Sequence, residues 1–420
     1  MGYFILVDCN NFFVSCERVF NPKLEKKPVI VLSNNDGCVV ARSQEAKQIG
    51  IGMCEPYFKI KDLCERHKVF VYSSNYQLYG DFSARVMDIL KGMAPEIQIY
   101  SIDEAFLYYE TGTEEEIFER AVEIRKMIKK WIGIPTSLGI APTKTLAKVA
   151  GSLAKKDLLQ GVFSLSSKVS QEKILHDFPI GEVWGVGRKS QVKLQSLGVY
   201  TAKQCREMDP IFIRKQLGVG GERILWELRG VSCLALEEVE SSKSITCSRS
   251  FGSYVTELTD LSEALATYVS KAAHKLREQG LCTKTLCVYA EEMFDKEMGG
   301  RRSVSEIIPL PFPTNDTPEI IHAAKACLKK MFRPNVQYKK CGVVFLDLVP
   351  ESSVGAELFW KGLDPKRRKL AKLIDELNSS KRKDAIFYGA TGINPHWKMR
   401  SEKRSPRFTT SWDEIAVVKA

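Results

Sequence analysis

Tyr3-Phe4-Ile5-Leu6-Val7-Asp8-Cys9-Asn10-Asn11-Phe12-Phe13 opens the chain with an apolar run that ends on a carboxylate. Such a run reads as a buried strand, with Asp8 at its C-terminal end. A second apolar pair, Ile97 to Tyr100 and Ala105 to Tyr109, flanks Ser101-Ile102-Asp103-Glu104 and reads as two paired strands with more acids at the turn. Between them, Pro28 to Leu32 runs through Ser33-Asn34-Asn35-Asp36-Gly37 into Cys38 to Ala41, a hairpin pattern. Thr113 with Glu116 forms a capping box. Ile117, Ala121, Ile124, Ile128 and Trp131 then follow at helical spacing. A strand over Thr136 to Ile140 leads to a helix from about Pro142 to Lys156, so residues 1–165 mix strands with crossover helices as an α+β domain.

Working outward, residues 166–235 read as all-helical, punctuated by Gly185-Val186-Gly187 and Gly218-Val219-Gly220-Gly221. The polar stretch 236–242 reads as a linker. Residues 243–352 alternate strands (Thr285 to Tyr289, Gly342 to Leu348) with helices (Leu261 to Gln279, Pro318 to Phe332) as a second α+β domain. Beyond it, residues 353–420 form a basic extension that reads as an appendage to the core.

The 420 residues, 44% hydrophobic and 27% charged, are those of a soluble multidomain protein. No apolar run is long enough to cross a membrane, and the N-terminus lacks the leading positive charge of a signal or transit peptide. Twelve cysteines stand singly with no CxxC pair and only five histidines, which predicts reduced thiols in the cytoplasm and no zinc site. The net charge of +11 is uneven: +1 over residues 1–165, +4 over 166–235 and +7 over 355–420. Basic middle and tail segments predict a polyanionic partner. The phosphate loop GxxxxGK[ST], the HExxH zinc motif and the GxSxG elbow are all missing from the sequence.

Three constellations carry chemistry. Asp8, Asp103 and Glu104 could converge on hard divalent cations, provided the backbone turns between Asp103 and Glu104, since neighbours in a strand face opposite ways. Ordinary strand-end acids paired with lysine are the alternative. Lys144, Lys148 and Lys155 fall within about 40° of arc on a helix and suit a triphosphate, or else form a solvated face. Arg42 and Lys47 are a smaller basic pair. Trp184-Gly185-Val186-Gly187-Arg188-Lys189 suits a turn whose backbone N–H groups meet phosphate, or a plain interhelical turn.

Four stretches resemble the motifs of Y-family (translesion) DNA polymerases in order and spacing: Val7-Asp8-Cys9-Asn10-Asn11-Phe12-Phe13-Val14-Ser15-Cys16-Glu17, Ala41-Arg42-Ser43-Gln44-Glu45-Ala46-Lys47, Tyr100-Ser101-Ile102-Asp103-Glu104-Ala105-Phe106 and Gly139 to Lys148. Within that family the chain looks most like the UmuC type, the catalytic subunit of bacterial DNA polymerase V. Three features point there: the Ala-Arg-Ser-Gln-Glu-Ala-Lys form of the second stretch, Cys247-Ser248-Arg249-Ser250-Phe251-Gly252, and the tail Ser405-Pro406-Arg407-Phe408-Thr409-Thr410-Ser411-Trp412.

The resemblance implies a right-hand architecture with palm (1–10 and 76–165), fingers (11–75), helical thumb (166–235) and α+β little finger (243–352). It implies two Mg²⁺ ions on Asp8, Asp103, Glu104 and the Cys9 carbonyl, and error-prone bypass of damaged templates. Phe13, with Phe12 packed beneath, would be the gate against a ribose 2′-hydroxyl. Arg42, Lys47 and Lys155 would surround the incoming dNTP, although many relatives carry Tyr-Glu-Ala-Arg where this chain has Gln44-Glu45-Ala46-Lys47. Gly185, Gly187, Arg188, Lys189 and Arg249 would contact primer-template DNA. Implied partners are a cleaved UmuD-type protein, a recombinase filament and, through Leu358 and Phe359, a sliding clamp. A nucleotide cyclase with a similar palm, or a catalytically silent DNA-binding protein, are the readings from other classes.

Overall fold

The computed structural model describes residues 2–157, 160–236, 242–295, 300–355, 364–380, 385–393 and 396–415. Most of the linker and both Leu358 and Phe359 therefore lie outside the described residues. The chain divides into two compact units, Met1–Glu238 with Glu402–Ala420, and Val239–Ser401.

The first unit begins with β1 (Tyr3–Cys9), α1 (Phe12–Phe20), β2 (Val29–Leu32), β3 (Val39–Arg42), α2 (Gln44–Gln48), α3 (Tyr57–Arg66), β4 (Phe70–Ser73) and α4 (Tyr76–Met93). It continues with β5 (Glu96–Ile99), β6 (Glu104–Tyr109), α5 (Glu114–Ile132), β7 (Thr136–Ala141), α6 (Lys144–Ala154) and β8 (Val162–Ser164). The helices α7 (Lys168–Asp177), α8 (Arg188–Ser196), α9 (Ala202–Glu207) and α10 (Pro210–Leu228) complete it. No element was read from the sequence over residues 57–93, where α3, β4 and α4 stand.

β1 is the centre of a five-stranded sheet in the order β5-β6-β1-β7-β8. Its alternate side chains serve two cores, as a period of two requires. Ile5, Val7 and Cys9 pack with residues of α1, α4 and α5, whereas Phe4 and Leu6 pack with α6 and the helical segment. The Thr113–Glu116 capping box is formed, but the buried face of α5 ends on Ile132, and Trp131 is 66% exposed instead of closing the stripe. Gly139 on β7 lets α6 lie against the sheet: a Cβ there would sit 2.2 Å from the Gly151 amide nitrogen.

A smaller three-stranded sheet, β3-β2-β4, pairs β2 antiparallel with β3 and parallel with β4. Its central strand is shared: Val29 and Val31 join the main core, while Ile30 and Leu32 pack with Ile51, Ile60 and Cys64. In the helical segment Gly218 (φ 71°, ψ −169°) is non-helical and divides α10 into two helices at the second glycine cluster.

The second unit holds β9 (Ile245–Val255), α11 (Leu258–Glu278), β10 (Leu281–Asp295), β11 (Gly300–Thr314), α12 (Thr317–Met331), β12 (Tyr338–Pro350) and α13 (Pro365–Ser380). Its antiparallel sheet runs β11-β10-β12-β9, with α11 and α12 contributing apolar faces to its core. β11 carries Pro309, Pro311 and Pro313 and is not among the strands expected for this domain. It is an edge strand, where proline's missing N–H is tolerated.

The extension is not a free appendage. Arg277 holds Asp375 of α13 through two bonds of 2.7 and 2.9 Å, and Trp397 packs on Phe251 and Tyr268 inside the second unit. Residues from 402 onward belong to the first unit. Ser73 and Lys403 bond each other (Ser73 N–H to the Lys403 carbonyl 3.0 Å, Lys403 N–H to Ser73 Oγ 2.9 Å), and Phe408 stacks on Phe20 at 4.4 Å. A few docking residues spaced through a basic stretch leave no periodic pattern, so net charge concealed them.

Candidate active site

Asp8 and Glu104 are direct partners across the β1–β6 ladder. The Cys9 N–H donates to the Asp103 carbonyl at 2.9 Å, carrying the pairing one residue beyond β6. The chain reverses over Tyr100 to Asp103: the N–H groups of Tyr100 and Ser101 both donate to the Glu104 carbonyl, and Ser101 Oγ donates to the Asp103 carboxylate at 2.7 Å. The backbone turn that convergence of Asp103 and Glu104 demands is therefore present.

Lys155 Nζ donates to Asp8 at 2.6 Å and Lys148 Nζ to Glu104 at 2.8 Å. Even so, burial pushes the Asp8 carboxyl up to about 7, and a hydrogen bond to Glu104 adds to the rise. Glu104 goes the other way. Burial opposes its charge, but the bonds from Asp8 and Lys148 outweigh burial and hold it below the usual carboxylate range. One proton shared between two facing acids is the outcome expected of like charges in a dry site. Burial, followed by the charges of Asp8, Asp103 and Glu104, drives the Cys9 thiol far above its ordinary range.

Among the described residues no three acidic, imidazole or thiol side chains close into a metal cage. The side chains that Asp8, Asp103 and Glu104 offer are carboxylates, hard oxygen donors. Oxygen donors of this kind suit a hard divalent cation, and such a cation beside Asp8 would let it ionise.

Further positive charge lies within electrostatic reach of Asp8. Lys47 on α2 sits below the usual lysine range, chiefly from burial and then from Arg42 and Lys155, with Asp8 pulling the other way. Arg42, at the end of β3, donates Nη1 to the Ile51 carbonyl while its buried Nε has no partner in the protein. Lys144 departs from the expected three-lysine face. It is 3% exposed and its ammonium is held by Gln98 and the Ala235 carbonyl, so it is not available to a nucleotide.

Two aromatic groups went unread in the sequence. Lys148 lies over the rings of Tyr100 (4.5 Å), Phe106 (5.7 Å) and Trp184 (5.7 Å), and Trp184 Nε1 donates to the Tyr100 hydroxyl at 3.1 Å. The glycine turn is thereby linked to Glu104 through one caged lysine. Gly185 has φ 91° and Gly187 precedes α8, whose first residues, Arg188 and Lys189, are exposed. Arg249 is exposed on β9 of the second unit.

Phe12 is buried in the core, 3% exposed, whereas Phe13 is partly open and stacks on Tyr79 with centroids 4.4 Å apart and planes 13° apart. Asn11, at the N-cap of α1, makes no side-chain capping bond. Asn11 adopts φ 46° to turn the chain, and Asn10 accepts from Ser137 Oγ through Oδ1. The unread residue is Tyr79, for which position gave no signal before Phe13 was placed.

This fold is that of the Y-family DNA polymerases. A polymerase chimera of Dbh and Dpo4 aligns with a TM-score of 0.67 at 22% identity, covering 83% of this chain and 99% of its own. DinB from Sulfolobus solfataricus aligns at 0.53 and 21% identity with the same coverage. The impB/mucB/samB family matches residues 7–152, its C-terminal domain residues 242–358, and a domain of unknown function residues 368–418. Protein UmuC of Salmonella typhimurium is 40% identical over 99% of this chain and 100% of its own, and Protein ImpB of Salmonella typhimurium is 40% identical over 99% of each. DNA polymerase IV of Desulfatibacillum aliphaticivorans is 30% identical over 82% of this chain and 85% of its own. The chain belongs to the impB/mucB/samB family, the UmuC type of Y-family translesion DNA polymerases. Among the described residues no helix is long and apolar enough to cross a membrane.

Proposed function

We propose that nucleotide addition takes place at Asp8, Asp103 and Glu104, with the Cys9 carbonyl as a further ligand for two Mg²⁺ ions. The observation carrying this reading is the direct pairing of Asp8 with Glu104, with Lys155 bonded to Asp8 and Lys47 within electrostatic reach of Asp8, Arg42 and Lys155. Bound Mg²⁺ would neutralise the acids and supply Lewis acidity at the α-phosphate and at the primer 3′-hydroxyl. Lys155 would leave Asp8 for the triphosphate, where its charge adds to that of Lys47 and Arg42. Phe13 would lie against the deoxyribose with Phe12 beneath it, excluding a 2′-hydroxyl by bulk. Lys148, held in its aromatic cage, would keep the Glu104 carboxylate aimed at the site.

Residues 1–10 and 76–165 would act as palm, 11–75 as fingers, 166–235 as thumb and 243–352 as little finger, joined by 236–242 and followed by the extension 353–420. In the thumb, Gly185, Gly187, Arg188 and Lys189 would hold the DNA backbone without reading bases, and Arg249 would add a contact from the little finger. A cleaved UmuD-type protein, a recombinase filament and a clamp at Leu358 and Phe359 would be its cytoplasmic partners, by family resemblance.

Primer extension with four dNTPs and Mg²⁺ tests the reading. Asp103→Asn and Glu104→Gln should each abolish addition while leaving primer-template affinity within a few-fold, because DNA is held by phosphate contacts elsewhere. Near-parental extension by either variant would overturn the assignment.

A further inference from the structure

The tail stretch Ser405-Pro406-Arg407-Phe408 takes no part in the chemistry above, yet it ends against the residues behind Phe13. Tyr79, fully buried, donates its hydroxyl to Glu17 Oε1 at 2.7 Å. The same oxygen accepts from Ser405 Oγ at 2.9 Å. Asn75 fixes Ser405 from the other side, donating to its carbonyl at 3.0 Å, its Oγ at 3.0 Å and the Pro406 carbonyl at 3.2 Å. Asn75 also caps α4, the helix that carries Tyr76 and Tyr79. Glu17, Asn75 and Ser405 are 2%, 1% and 6% exposed, so water cannot stand in for a lost partner without opening the packing.

We propose that Ser405 is a positioning residue for sugar selection: through the buried carboxylate of Glu17 it fixes Tyr79, the ring against which Phe13 lies. The inference rests on Phe13 facing the nucleotide sugar. A gate discriminates by bulk only if it is stiff, and Phe13 is backed by the flat face of Tyr79. Tyr79 is anchored at its far end by a single hydroxyl whose acceptor is shared with the tail. Without Ser405 Oγ, Glu17 keeps one donor in a dry pocket, where burial already drives its carboxyl upward. It then takes up a proton or turns away, and the Tyr79 ring gains freedom to tilt. A displacement near 1 Å at such a surface is enough to change rates strongly.

The test uses the full-length chain, primer-template and Mg²⁺, and measures ribonucleotide against deoxyribonucleotide insertion opposite one template base. Ser405→Ala and Tyr79→Phe should each raise that ratio about threefold to tenfold, the scale of one ordinary hydrogen bond. Ser405→Thr, which keeps the hydroxyl, should restore the parental ratio. Ile128→Val, a loosening of the same core away from the relay, should not move it. Phe13→Ala should raise the ratio further, with no added effect from Ser405→Ala. If Phe13→Ala raises the ratio while Ser405→Ala and Tyr79→Phe stay at the parental value, the gate stands and the relay is refuted. An unchanged ratio in Phe13→Ala removes the gate reading and the relay with it. Equal increases in Ile128→Val and Ser405→Ala would reduce Ser405 to a general packing role.

Discussion

Asp8→Asn should stabilise the metal-free protein while destroying its activity. The substitution keeps the shape of the side chain and removes the charge that the site resists. Asp8 is 5% exposed, and its pKa rises from 3.8 to about 7 on folding. A carboxyl shifted that far opposes folding by about 4 kcal/mol once it is ionised in both states. The amide has to turn its N–H toward Glu104 and its carbonyl toward Lys155, and this less charged fit reduces the gain. A net stabilisation of about 1–3 kcal/mol remains. The sign depends on pH. Below 3.8 the acid is neutral in both states and the charge contributes nothing. Between 3.8 and about 7 the unfolded chain releases the proton first, so the parent loses stability as pH rises, and above about 7 the loss is constant. Urea unfolding in EDTA should therefore show the variant ahead of the parent at pH 8, with the gap closing toward pH 4. Excess Mg²⁺ should reverse the ranking, since only the parent gains from cation binding. A variant that is less stable than the parent by the same margin at both pH values in EDTA would refute the reasoning.

If Lys47 meets the triphosphate as proposed, Lys47→Met should raise the KM for dNTP about tenfold with a smaller change in kcat, because it removes ground-state charge; steady-state insertion kinetics check this. Gly139→Ala should destabilise the first unit by more than about 3 kcal/mol, since its Cβ would meet the backbone of α6 at 2.2 Å. A small shift in the unfolding midpoint would show that the helix can retreat. Phe408→Ala should cost about 2 kcal/mol, half of a fully buried phenylalanine truncation, because the ring is only partly buried on Phe20; the same denaturation series measures it.

Long periodic stretches were legible in the sequence. β1 to Asp8, the Glu116 cap and the buried stripe of α5 all follow from spacing that one residue cannot disguise. The acids were legible as residues but not as a site, because nothing in the spacing reports that Asp8 and Glu104 share a ladder rung. Lys144 and Lys155 show why angular position on a helix is insufficient. They lie on nearly one face, yet Lys144 ends against Gln98 and Lys155 against Asp8, and only tertiary neighbours separate the two fates. β11 was hidden by its prolines, whose tolerance depends on an edge position that exists only in the assembled sheet. Glu17, Asn75 and Ser405 lie so far apart in the chain that no local pattern could link them.

The return of residues 402–415 to the first unit has a consequence for how the protein is made. The ribosome finishes Met1–Glu238 and must then add the whole of Val239–Ser401 before Ser405 exists. At about 5–20 residues per second that interval lasts roughly ten to thirty seconds. Throughout it, Glu17 and Asn75 lack the Ser405 partner they hold in the folded chain. Nicking anywhere between the two pieces, even in a surface loop of the second unit, puts the last strip of the first unit on a separate fragment. Integrity of the second unit is thereby written into completion of the first.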